Sequence, residues 1–172
     1  MTPDLMSSMR AELKRCAAVA LMLICSPWVL AETSNWIEAP TPPAPAWSKA
    51  NLIPIDLRSA GSLVFGVDPQ SISVGNDEVV RYVMVAYNPE GSTNALFEGL
   101  RCNTSEIKTY ARSSSADKWQ TVAQPEWARL DPTKASHRHA IALARQGFCE
   151  GASLGARSAA ELIKRLKSSR NP

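Results

Sequence analysis

Two histidines and four cysteines are all that the 172 residues offer for metal ligation or thiol chemistry. No Cys-x-x-Cys pair occurs, which removes both the redox couple and the zinc-ribbon spacing. Gly-x-Ser-x-Gly is missing, and with it the strained elbow that holds a hydrolase's serine. Gly-x-Gly-x-x-Gly and the P-loop are missing as well, so no backbone cradle for a nucleotide is present. Charge of one sign is also in short supply. The formal net charge is +3, too small to mark the whole domain as a partner for nucleic acid or an anionic surface. Past residue 30 no apolar run approaches membrane-spanning length. No cofactor is expected.

What the sequence does contain begins at its N-terminus. Met9-Arg10-Ala11-Glu12-Leu13-Lys14-Arg15 is short and basic, and residues 16–30 then read CAAVALMLICSPWVL. Val29-Leu30-Ala31 closes the run with the modest and small side chains that signal peptidase reads. This is the three-part pattern of a secretory signal, with an apolar run too short to span a bilayer as a mature helix. The sequence therefore predicts cleavage after Ala31 and a periplasmic protein. Pro27 opposes a retained helical anchor. Lipidation of Cys25 needs small residues just ahead of it, and Leu23 and Ile24 stand there instead. No lipid anchor is expected.

Cleavage changes the meaning of the cysteines. Cys16 and Cys25 leave with the signal, and Cys102 and Cys149 remain. In an oxidising compartment an even number of cysteines predicts a bridge, and two allow one connectivity. Closing so long a loop stabilises by roughly 4 kcal/mol on the chain-entropy account. The rival role, a reactive thiol, lacks a neighbouring histidine to hold the thiolate. The structural role is favoured.

Residues 32–51 form a leader rich in proline, with Pro40, Pro42, Pro43 and Pro45 between Trp36 and Trp47. Such a segment favours polyproline II and cannot pair as an interior strand. The two tryptophans predict that it lies against the domain. From residue 52 the texture is β: LIPIDL (52–57), SLVFGVD (62–68) and ISV (72–74), with residues 59–61 as a tight connection. VVRYVMVAY (79–87) is apolar on both faces and predicts a central strand covered on each side. After a turn at residues 89–92, NALFEGLRC (94–102) follows as its antiparallel partner. EIKTYAR (106–112) is the third strand of a meander, and KWQTV (118–122) a further short one.

Asp131-Pro132 has the form of an N-cap with proline in the first turn, opening an Ala-rich helix over residues 133–148. Residues 158–167 place Ala159, Leu162, Ile163 and Leu166 on one stripe of a last, basic helix. The expected class is α+β, a small antiparallel β-meander sheet packed with one or two C-terminal helices. Residues 52–155 are expected as one domain, and 156–172 as a basic helix and tail, solvated and not bound to a membrane surface.

Trp36 and Glu38 ahead of the proline cluster, the stretch VDPQSISVGNDEVVRY, FEGLRC, Tyr110-Ala111-Arg112, two spaced tryptophans and a final helix ending in Cys form a specific set. Together they resemble the cryptic neisserial protein one-like family over roughly residues 36–150. The resemblance implies an exported chain with one shared fold. The domain of that family has no assigned activity, so no catalytic residue is carried over. Asp77-Glu78 departs from the Asp-Gly expected in that turn, which puts the turn geometry in question.

His137 and His139 stand two apart, and on a helix such residues project about 200° from one another, so they cannot grip one ion together. No metal site is expected. The remaining candidates are polar residues inside strands. If residues 79–87 and 94–102 pair across the turn, Glu98 is expected within reach of Arg81, an ion pair worth about 0.2–1 kcal/mol if exposed. In a functional version Glu98, Arg101, Tyr82 and Tyr110 line a concavity. Arg81, Tyr82, Glu98, Arg101 and Tyr110 are thus the candidate ligand or partner surface. Two readings stay open. The preferred one is a non-enzymatic envelope domain that binds a protein or wall component. The other is a small-ligand binder or enzyme with a site around Glu98 and Arg101.

Overall fold

The structure is a computed structural model that describes residues 35–57, 62–88, 91–115 and 118–169. The expected signal segment, the expected cleavage point after Ala31 and Cys25 lie outside the described residues. So do the connection at 59–61 and residues 89–90 of the following turn. The chain divides into two units, Met1–Asn35 and Trp36–Pro172, and the described elements belong to the second.

Seven strands form one antiparallel sheet among the described residues: β1 (Ile53–Pro54), β2 (Val64–Val74), β3 (Val79–Tyr87), β4 (Thr93–Arg101), β5 (Glu106–Ser113), β6 (Gln120–Thr121) and β7 (Ala128–Arg129). Order in space follows order in sequence from β1 to β6, with β7 sharing the outer edge of β5. The two apolar runs at 62–68 and 72–74, expected as separate strands, are one long β2 interrupted by a register shift between Asp68 and Ser73. Pro69 sits inside that irregular stretch, where a missing ladder N–H is tolerated. LIPIDL and KWQTV pair over only two residues each.

β3 explains the layering. Val80, Tyr82 and Met84 point into one core, with Leu100, Leu143, Phe148, Leu162 and Leu166. Val83 and Val85 point into a second, with Trp47, Phe97 and Tyr110. The first core lies under the C-terminal helices and the second under the Pro-rich leader. A strand apolar on both faces is satisfied only by cover on both sides.

After β7 the chain makes a 3-10 turn (Ala135–His137), α1 (Arg138–Leu143) and a wide π turn (Ala144–Phe148) that leaves helical geometry at Gly147, φ 133°. That φ is open to glycine and strained for any side chain. The helix starts later than Asp131-Pro132 predicts. Asp131 Oδ1 instead accepts from Thr133 N at 2.9 Å and Thr133 Oγ1 at 2.6 Å, closing a local Asx turn that competes with helix capping. A two-stranded hairpin follows, β8 (Cys149–Glu150) with β9 (Ser153–Leu154), and then α2 (Ala159–Ser168). Ser158 caps α2 by accepting from Glu161 N at 3.3 Å, and its hydroxyl donates to Glu161 Oε2 at 3.1 Å. Ser158 and Glu161 stand at the Ser-x-x-Glu spacing of a helix start, and the side-chain cap fixes where α2 enters. α2 is not a detached tail: Leu162 and Leu166 are 1% exposed or less within the first core.

Cys102, just past β4, is bonded to Cys149 in β8, with Cα atoms 5.5 Å apart. The bridge ties the end of a central strand to the helical layer. No described helix is long and apolar enough to cross a membrane.

Candidate ligand-binding site

The register of β3 and β4 sorts the candidate residues. Tyr82 pairs with Glu98, and Arg81 with Gly99. Successive residues of a strand point to opposite faces, so Glu98 shares a face with Tyr82 and turns its back on Arg81. The expected Arg81–Glu98 ion pair is therefore absent. Arg81, Arg101 and Tyr110 lie on the leader side, Tyr82 and Glu98 on the helical side. The five do not line one concavity.

On the leader side the cations have other partners. Arg81, buried at 3% exposure, holds Asp77 through two nitrogens, at 3.2 and 2.7 Å. It also donates to the carbonyl of Ala39 at 3.3 Å. Glu38 reaches in from the leader and accepts from Lys108 at 2.7 Å, Tyr110 at 2.8 Å and Trp127 at 3.0 Å. Arg101 lies 3.5 Å over the ring of Trp36 and pairs with Glu106 at 2.9 Å. Burial pushes the Glu38 carboxyl up, but its three donors outweigh that and hold it below its ordinary value. Asp77 behaves alike: burial raises it, while Arg81 and the N–H groups of Ala39 and Val79 bring it below the ordinary value. Burial raises the Tyr110 hydroxyl, and Glu38 raises it further. The contacts through Trp36, Glu38 and Ala39 fasten the leader to the sheet, while Asp77 and Glu106 hold the arginines in place, so this face is a clamp.

On the helical side the carboxyl of Glu98, 1% exposed, has a different set of partners. Oε2 accepts from the Tyr82 hydroxyl at 3.1 Å, Oε1 from the Thr109 hydroxyl at 3.3 Å. His139 Nε2 lies 2.6 Å from Oε2. At that distance one proton must lie between nitrogen and oxygen, and a carboxyl already taking two other donors is the acceptor. Burial, with Glu98 adding to it, raises the Tyr82 hydroxyl well above its ordinary value, which keeps it a donor. Phe148 closes the cluster from above, with its ring 5.2 Å from that of Tyr82. His139 is 3% exposed, and its imidazole completes the buried Glu98 cluster.

His139 also lines a cavity of about 550 Å³. The cavity floor is a continuation of the sheet face that carries Glu98. One cross-strand row runs Val67, Met84, Leu96, Arg112, Gln120 and the next Phe65, Ala86, Asn94. The helices cover the Tyr82–Leu100 end of this face and leave these two rows partly open; Phe65, Ala86 and Leu96 are only half-buried. Ala135, Ser136 and His139 form one wall. His137 does not join it; its Nδ1 accepts from Asp131 N at 3.0 Å.

Chemically the arrangement fixes an imidazole in one orientation beside an apolar trough. Among the described residues only Glu98 hydrogen-bonds that ring, so no nucleophile is paired with it. Among the described residues no three of His, Cys, Asp and Glu converge on a metal position. The sequence held no local signal for the pair, because Glu98 and His139 are separated by 41 positions.

A family model described as the CNP1-like family matches residues 31–167. No curated protein and no solved structure matches the chain.

Proposed function

The chain belongs to the CNP1-like family, and from that membership and the geometry of the trough we propose an exported binding domain of the cell envelope that holds a small molecule beside Glu98 and His139. The observation that carries this reading is the 550 Å³ cavity. It lies within the range of small-molecule sites, mostly apolar with a few placed polar groups. Glu98 fits as the residue that orients His139 from behind, and His139 as the polar group offered to the ligand. Arg101 and Tyr110 belong to the leader clamp and not to the site.

Export is supported by the basic and apolar N-terminal pattern, by the Cys102–Cys149 bridge, and by a family match that starts at residue 31. Binding without turnover is supported by an imidazole whose described partner is a carboxylate and not a nucleophile.

The test uses an uncharged apolar fluorophore, N-phenyl-1-naphthylamine, titrated into the protein. One saturable site is expected, lost on Ala86→Trp, which fills the trough from its floor. Near-ultraviolet circular dichroism reports whether the variant is folded. Absence of saturable binding, or full binding by a folded Ala86→Trp protein, refutes the reading.

A further inference from the structure

Polarity changes steadily across the cavity floor. β2, β3, β4 and the residue ahead of β2 contribute Leu63, Phe65, Met84, Ala86 and Leu96. Leu63 is 45% exposed at the rim of this floor. The opposite edge, at β5 and the segment before β6, contributes the cations Arg112 and Lys118 together with Ser114 and Ser115. Arg112 pairs directly with Leu96 in register, so a charged side chain and an apolar one are neighbours on the same face.

Both cations are exposed, and among the described residues neither joins an ion pair. No aspartate or glutamate is among the described lining residues; Glu98 lies beneath, committed to His139, Tyr82 and Thr109. Elsewhere the fold neutralises its partly buried cations: Arg81 with Asp77, Lys108 with Glu38, Arg101 with Glu106. The trough therefore presents an apolar lane that ends at two cations with no ion-pair partner among the described residues.

We infer that the ligand of this cavity is a single-chain anionic amphiphile, an unesterified acyl carboxylate whose tail lies over Phe65, Met84 and Leu96 and whose head group meets Arg112 and Lys118. The inference rests on the trough being a binding site and adds the class of molecule it takes. Arginine holds a carboxylate by two parallel N–H bonds, and an alcohol or an ammonium head group offers it no such partner. Met84 has the rotamer freedom to follow a flexible chain.

Isothermal titration calorimetry of the full chain with decanoate, decanol and decyltrimethylammonium tests this directly. Decanoate is expected to bind at one site at least tenfold more tightly than either of the others. Arg112→Gln with Lys118→Gln, both on exposed side chains, is expected to remove that preference while leaving decanol binding unchanged. Raising the salt concentration is expected to weaken decanoate alone. Equal binding of all three amphiphiles, a preference that survives the double substitution, or no decanoate binding overturns the inference. The naphthylamine titration separates the failures. If the fluorophore binds and decanoate shows no preference, the trough stands as a site and only its ligand class falls. If the fluorophore does not bind either, both fall.

Discussion

Glu98 carries three hydrogen bonds in a setting that is closed to water, and its replacement leaves His139, Tyr82 and Thr109 facing an empty position. Glu98→Ala is expected to destabilise the fold by about 3 kcal/mol, chiefly through the desolvated groups left unpaired. Tyr82→Phe removes the hydroxyl that donates to Glu98 and leaves the carboxylate its other two partners, and about 1 kcal/mol is expected. Urea denaturation of the two variants checks the order; equal effects would mean that Glu98 is not the centre of the cluster. At this scale the sequence was informative about residue types and silent about partners. Arg81 and Glu98 look like a pair in the sequence, yet the pairing of Tyr82 with Glu98 puts the arginine on the other face. A one-residue difference in register decides between the two arrangements, and no local pattern near the turn encodes it. His139 stands in an Ala-rich helix whose pattern marks no special role for it. Asp77 was overlooked for a similar reason: it looks like a turn residue, and it serves as one, but it also anchors Arg81.

The elements were more legible than their contacts. β3 matches the expected strand residue for residue, because six of its nine residues are valine or tyrosine. The helix before Cys149 was displaced by two side-chain bonds at Asp131 that a propensity argument does not weigh. Glu78 sits at φ 60°, in the left-handed region, at the position where the resemblance led one to expect glycine. Glu78→Gly is therefore expected to stabilise the protein by about 1 kcal/mol, read as a higher denaturation midpoint, and a lower midpoint would count against that strain.

The leader is held through Glu38 and Asp77, both titrating below their ordinary values. Their unfolded counterparts take up protons first as pH falls. The stability they supply is present above the ordinary carboxylate range and is lost through it and below. Thermal unfolding is expected to drop between roughly pH 5 and pH 3, and Glu38→Gln is expected to flatten that drop. An unchanged profile in the variant would detach Glu38 from the clamp.

At the scale of the whole molecule, one sheet is covered by different means on its two faces: a proline-rich leader on one and a disulfide-anchored helical layer on the other. Losing the bridge through Cys102→Ser and Cys149→Ser is expected to cost about 2–4 kcal/mol, visible as a lower urea midpoint. The composition announced the α+β class and the staple, since strands precede helices and two cysteines admit one pairing. It did not announce the trough. That feature exists because α1, the π turn and α2 are together too short to cover the full length of β2–β4, a property of assembled dimensions and not of any one segment. Of the five methionines, only Met84 lies beyond residue 31, and its side chain is in the trough floor. Methyl-¹³C labelling of methionine, with Met84→Leu for assignment, thus places one reporter signal at the proposed site. On titration with N-phenyl-1-naphthylamine the Met84 methyl resonance is expected to shift and saturate at one equivalent. A resonance that stays in place while the ligand is in excess would contradict the claim that this cavity is where the protein binds.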